Sequence, residues 1–302
     1  MGERQPYKTK GVREANPRPI SLQFPRDLDI LEDVYRHKAL TISQIHRMHF
    51  GASRSPAQLR ITKLFNHRFL HQIVIPVAYG QSGSNPIFNV LDSKGAELLR
   101  EKREIEVKWH YSDRELSERF LNHAKLLNDF YATVVRACRD AGYGYPVRAG
   151  EGGLVKRTEK ELKADRERVS IRLTDGKRQN VSFIPDLYFQ IRASGQIFSF
   201  FMEADNTTEK SSVIKEKFRA YKAYFETRAY EKKYRRKEPY RILFVVDGKT
   251  RVKNLLKWAN EDGAGPNFWF GDKNRILPDT ALHSDLWWVS GWRGTHRLFK
   301  AK

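Results

Sequence analysis

The chain has a single cysteine, Cys138, in 302 residues, which excludes an internal disulfide and a cysteine zinc cluster. No apolar run approaches the roughly 18 residues of a membrane span, and mean hydropathy is −0.67. The opening Met-Gly-Glu-Arg-Gln-Pro-Tyr-Lys lacks the apolar core of a secretory signal, so a cytoplasmic protein that avoids membranes is expected. There is no phosphate-cradling Gly-x-x-x-x-Gly-Lys motif, no internal repeat and no low-complexity tract. Negative charge is scarce too: 36 Asp and Glu stand against 56 Lys and Arg, a formal net charge of +20. Nucleic acid is the most abundant polyanion such a protein meets, and it is the expected partner. The basic excess sits at both ends of the chain, and the middle third is nearly neutral.

Residues 1–24 are basic and proline-bearing without periodicity, which reads as a disordered arm. From Pro25 onward, Leu28, Leu31, Val34 and Tyr35 fall on one helical stripe. Thr41-Ile-Ser-Gln44 has capping-box spacing and opens a second short helix. Ser55-Pro56 starts a third, expected to turn Leu59, Thr62, Leu64 and Phe65 inward. Arg54, Gln58, Arg60, Lys63, Asn66, His67 and Arg68 are then its candidates for DNA contact. Two strand-like runs, 72–77 and 86–90, and a helix from Ser93 complete a winged helix-turn-helix over 25–110, a fold whose third helix enters the major groove.

Residues 114–141 carry Phe120, Ala124, Leu127, Tyr131, Val134, Cys138 and Ala141 on one buried helical stripe, which makes Cys138 a core residue. Residues 150–180 read as irregular and charged, with an exposed helix around Glu159, Glu161, Asp165 and Glu167 held by i,i+4 pairs.

The centre of the chain is the pair Val181 to Ile191 and Ile197 to Asp205, two expected strands joined by a tight turn. Asp186 lies in the first; Glu203 and Asp205 close the second and share a face. Charges at the ends of apolar strands are costly unless paired or bound to a metal, and an oxygen-only cluster suits Mg²⁺ or Mn²⁺. Asp186, Glu203 and Asp205 are therefore candidate metal ligands, the alternative being that they only mark strand ends. Ile214, Phe218, Tyr221 and Phe225 mark the next helix. Its expected tail, Glu231 to Lys237, carries Lys232, Lys233, Arg235 and Arg236 as a second DNA-binding set. Tyr240 to Asp247 is a continuous apolar run, a strand buried on both faces, followed by a helix over 250–262 and short strands at 267–270 and 286–290.

The order of strand, acid-bearing strand, helix, buried strand and helix, with Pro185-Asp186 and then Glu203-x-Asp205, resembles the core of the PD-(D/E)xK nuclease-like fold. Ile184-Pro-Asp-Leu-Tyr188, Phe200-Phe-Met-Glu-Ala-Asp-Asn-Thr-Thr208 and Lys217-Phe-Arg-Ala-Tyr221 are similar to stretches of the replication-relaxation family of plasmid and mobile-element proteins. The resemblance implies an α+β chain: a winged helix-turn-helix over 25–110, then a restriction-endonuclease-like three-layer α/β domain over 111–302 with its leading helix. It implies action on double-stranded DNA in replication, its control or transfer of a mobile element. A replication or mobilisation protein would be a further partner, and an oligomer is compatible with it.

The nuclease-like fold further implies a metal-dependent endonuclease that cuts or nicks DNA with Mg²⁺, Asp186 and Glu203 binding the ion and a lysine standing two residues after Glu203. Asp205 occupies that position, and an acid adds a ligand but no positive charge for a developing phosphorane. One of Lys210, Lys215 and Lys217 would have to reach back, and Lys217 is assigned to the catalytic set with Asp186, Glu203 and Asp205. The alternative is a non-catalytic winged-helix transcription regulator, or a degenerate nuclease fold that serves as a scaffold for DNA or a partner.

Overall fold

Helices and strands alternate in an α+β architecture in the computed structural model, which describes residues 11–75, 86–145, 154–173, 175–206, 209–234, 237 and 240–300. The chain separates into two units, Met1–Asn128 and Asp129–Lys302.

In the first unit, helices α1 (Arg26–His37), α2 (Ile42–His49) and α3 (Ser55–Asn66) precede an antiparallel pair, β2 (Leu70–Val74) and β3 (Ile87–Leu91), and helix α4 (Ser93–Arg103). The two-residue strand β1 (Leu40–Thr41) joins the other edge of β3, so the sheet order is β1-β3-β2. The capping box forms as its spacing requires: Thr41 Oγ1 accepts from the Gln44 amide at 3.3 Å, and Gln44 Oε1 accepts from the Thr41 amide at 2.7 Å. The connection between β2 and β3 falls on residues 76–85, outside the described residues.

Two expectations change in this unit. Helix α3 buries Ala57, Arg60, Ile61, Leu64 and Phe65, while Leu59 is 65% exposed. The stripe of Ala57, Ile61, Leu64 and Phe65 is the larger apolar set, so its phase prevails and carries Leu59 outward and Arg60 inward. Of the expected disordered arm, residues 11–24 are described, and Arg13 there is tied down, donating from Nε to the Phe65 carbonyl at 2.8 Å and from Nη2 to Asp92 at 2.6 Å.

The second unit is organised on a seven-stranded mixed sheet. After the remainder of α5 (Glu118–Asp140) come β4 (Lys156–Thr158), α6 (Glu159–Ala164), β5 (Glu167–Arg172) and β6 (Arg178–Phe183). Then follow β7 (Leu187–Ala193), β8 (Gln196–Asp205), α7 (Ser211–Glu226), α8 (Ala229–Tyr234), β9 (Tyr240–Val246) and α9 (Lys249–Glu261). Strands β10 (Phe268–Asp272), β11 (Trp287–Val289) and β12 (Thr295–His296) close the chain. The sheet order is β12-β11-β10-β9-β8-β7-β4, with β8, β9 and β10 mutually parallel and joined by helical crossovers. Helices α7 and α9 and the β5-β6 ribbon cover one face. On the other, Phe130 and Tyr131 of α5 pack edge-on against Phe189 at 6.1 and 6.0 Å.

The expected first strand over 181–191 is two strands in different sheets. Val181 and Phe183 belong to β6, which pairs with β5, whereas Leu187 begins β7 in the main sheet. Pro185 has no N–H to give to a ladder, so the run breaks there. The hairpin itself is β7-β8, turned at Ser194 and Gly195, whose φ values of 50° and 77° match a primed two-residue turn. The expected irregular region up to 180 is also more ordered: α6 takes Glu159 and Glu161, and Glu167–Arg172 pairs with Arg178–Phe183 as a β-ribbon in which Val169 and Ile171 alternate with exposed neighbours and face inward. The helix after β8 ends at Glu226, and Arg228 at φ 54° separates α7 from α8, so the basic tail is not a continuation of α7. Cys138 is buried, and burial pushes its thiol up to about 12.

Candidate functional site

Side chains alternate along β8, so Phe201, Glu203 and Asp205 share the face covered by α7 and α9. Glu203 is 3% exposed. Its Oε1 accepts from the Tyr221 hydroxyl at 2.7 Å and its Oε2 from Lys217 Nζ at 2.9 Å. Lys217 and Tyr221 are four residues apart on α7 and so lie on one side of the helix, next to Ile214 and Phe218, which anchor it in the core. Lys217 also bonds Glu209 at 3.1 Å. Asp186, just ahead of β7, accepts from the Ala204 amide at 2.8 Å, which holds its carboxylate beside the same end of β8.

These groups shift one another. Burial pushes the Glu203 carboxyl up; Lys217 opposes this and Asp186 adds to it, leaving the group at about 7. Burial pushes the Lys217 ammonium down, but Glu203, Asp186 and Glu209 together hold it above its ordinary range. The phenol of Tyr221 is driven far up by burial and by the charge of Glu203. Lys217 is therefore a permanent cation and Tyr221 a permanent donor, while Glu203 is the member that titrates near neutrality.

Asp205 has a separate partner. Its Oδ2 accepts from Arg251 Nε at 2.6 Å, and the same guanidinium donates to the Glu209 carbonyl at 2.8 Å and lies over Trp258 at 5.1 Å. The Asp205 side chain is 2% exposed. The position where a lysine was expected thus holds half of a buried ion pair. Among the three lysines considered, Lys217 reaches the acid site. Lys215 bonds Glu261 at 2.9 Å instead, and Lys210 is the exposed residue before α7.

Arg251, Glu209 and Tyr221 were not singled out as site residues from sequence. The signal for Arg251 lies in topology: it sits in the first turns of α9, which follows β9, and β9 pairs parallel with β8, Asp205 lying opposite Val246.

The basic candidates divide. On α3, Arg54, Gln58 and Lys63 are exposed, as is Arg68 beyond its end. Arg60 is not available to DNA: it is 6% exposed, and its guanidinium donates to both oxygens of the buried Asp27, Nε at 2.8 Å. Asn66 accepts from the Glu14 amide at 3.3 Å, and His67 Nε2 lies 2.9 Å from the Arg18 carbonyl. In the second unit, Lys232 is exposed. Lys233 is turned to Asp165 and Glu167, 3.3 Å from each carboxylate. Arg235 and Arg236 lie outside the described residues.

The family model described as Replication-relaxation matches residues 31–237, more than half of the chain, a span that includes α3, Asp186, Glu203, Asp205 and Lys217. No curated protein matches the chain.

Proposed function

Because the chain belongs to the replication-relaxation family, we propose that it binds double-stranded DNA of a plasmid or mobile element and acts in its replication, the control of that replication, or its transfer. In this proposal the first unit is a winged helix that presents α3 to the major groove, with Arg54, Gln58, Lys63 and Arg68 as its contacts. The second unit is a nuclease-like domain that cuts or nicks the backbone at Asp186, Glu203 and Lys217.

One observation carries the cleavage reading: Lys217, from a helix, meets Glu203 where the strand itself offers Asp205 in place of lysine. A cationic donor beside a carboxylate pair is what stabilises charge building on a phosphate under attack. Lys217 supplies that charge, since its neighbours keep it protonated. Tyr221 and the Ala204 amide hold the Glu203 and Asp186 carboxylates in place.

Asp186 and Glu203 fit a hard divalent cation. They are two neighbouring carboxylates, one of them pushed up to about 7 by burial and by the other's charge, and a positive ion would relieve both effects. Asp205 does not fit, because Arg251 already neutralises it. When bound, Mg²⁺ or Mn²⁺ would polarise the phosphodiester and acidify a water. The DNA backbone would otherwise be repelled by these acids.

A second reading, a non-catalytic scaffold for DNA or for a replication or mobilisation partner, is favoured by the fact that both Glu203 oxygens already have protein partners. The two are separated by incubating the purified chain with supercoiled plasmid and Mg²⁺ or Mn²⁺. Nicking that is lost in Asp186→Ala while DNA affinity persists supports the nuclease. Binding without nicking in either metal, across supercoiled, linear and single-stranded DNA, establishes the scaffold.

A further inference from the structure

Arg241 lies on β9 at a position that points away from Glu203, because its neighbours Ile242 and Phe244 face α7. On that opposite side of the sheet a cavity of about 760 Å³ opens, lined in part by Tyr143, Phe198, Arg241, Trp269, Trp292 and Phe299. Its volume is that of a small-molecule site. The guanidinium of Arg241 donates from Nη1 to the Leu298 carbonyl at 2.6 Å. It lies 4.6 Å from the Trp269 ring centre, 5.5 Å from Phe198 and 5.8 Å from Phe299.

Among the described residues no carboxylate pairs with it, and burial alone pushes it down to about 10. A largely buried cation is costly without a counter-charge, and aromatic faces offset only part of that cost.

Lys300, an exposed residue, adds a second cation to the wall. His296, Arg297 and Lys300 also line the cavity, and its one lining acid, Asp285, is bonded to Arg297, Nε lying 3.0 Å from Oδ1. Trp292 is 50% exposed beside His296 at 5.0 Å. A large exposed ring in a cavity that also holds Arg241 and Lys300, neither with an acid partner among the described residues, suits a flat ligand that carries a negative charge.

We infer that this cavity binds a phosphorylated nucleotide, the phosphate against Arg241 and the base against Trp292. The nucleotide comes either free from solution or as the 5′-phosphorylated end of a DNA strand. The site does not depend on the cleavage reading, since it occupies the other face of the sheet.

The test is calorimetric titration of the full chain with deoxyadenosine 5′-monophosphate, deoxyadenosine and a 5′-phosphorylated tetranucleotide. The monophosphate should bind at least about tenfold more tightly than the nucleoside, as expected for a charge-assisted contact. Arg241→Met should remove that preference, and Trp292→Ala should weaken both ligands severalfold while leaving the melting temperature in place. A tetranucleotide that binds as tightly as the monophosphate identifies a strand end as the occupant; one that binds much more weakly identifies the free nucleotide. Should Arg241→Met melt too low to assay, Arg241→Lys and Trp292→Ala decide. Equal affinity for nucleoside and monophosphate, no binding at millimolar ligand, or monophosphate affinity unchanged in the Arg241 and Trp292 variants would overturn the inference.

Discussion

Lys217 Nζ lies 2.9 Å from Glu203 Oε2, so the positive charge of the acid site comes from helix α7 rather than from the strand that carries the acid. The next position along that face of the strand, Asp205, is neutralised from elsewhere, by Arg251 of α9. Glu203 and Asp205 are neighbours on β8, yet each is answered by a different helix.

If Lys217 is the cationic member of a cleavage site, Lys217→Met should lower plasmid nicking by about a hundredfold or more. Lys215→Met, which removes only a half-exposed pair with Glu261, should leave nicking within about twofold of the native rate. Rates of supercoiled-to-open-circle conversion read both. An equal fall in the two variants would place the effect in α7 as a whole and not in Lys217.

The carboxyl of Glu203 sits at about 7 in the folded protein against an ordinary 4.5. Between those values the folded chain keeps a proton that the unfolded chain has lost. This group therefore contributes stability below about pH 4.5 that is lost as the pH rises to 7, roughly 3 kcal/mol in all. Urea unfolding of Glu203→Gln across pH 4.5 to 7.5 should show a flatter profile than the native chain. A native profile that already rises through this interval would contradict the assignment.

An ion held by Asp186 and Glu203 favours the ionised form of Glu203. Millimolar Mg²⁺ should then raise the melting temperature at pH 7.5 by a few degrees and leave it unchanged at pH 5, where Glu203 is protonated. Asp186→Asn should abolish the difference. Stabilisation of equal size at both pH values would assign the ion to some other group.

In the first unit, Arg60 and Lys63 should part company. Arg60→Ala leaves the fully buried Asp27 unpaired and should cost about 3–5 kcal/mol, seen as loss of folded protein. Lys63→Ala, at an exposed position, should change stability by less than about 0.5 kcal/mol while weakening DNA binding and lowering its salt slope by about one. Unaltered DNA affinity in Lys63→Ala and Arg54→Ala together would move the contact surface off α3.

Much of this was legible because it depends on near neighbours in the chain. Thr41 and Gln44 cap each other across three residues, Cys138 falls on the buried stripe of α5, and 242–246 is apolar on both faces and lies in an inner strand. Where two local patterns competed, the sequence misled. The spacing points Leu59 inward, but the stripe of Ala57, Ile61, Leu64 and Phe65 sets the phase of α3, and the run 181–191 divides at Pro185 between two sheets.

The sequence by itself determined that Glu203 and Asp205 share one face at the end of an apolar strand, since a period of two is a local fact. Only the tertiary structure decided which cation answers which acid. Parallel β8 and β9 require crossovers, and those crossovers set Lys217 and Tyr221 of α7 over Glu203 and Arg251 of α9 over Asp205. No spacing along the chain encodes that choice, because it arises from where two helices come to rest on a sheet.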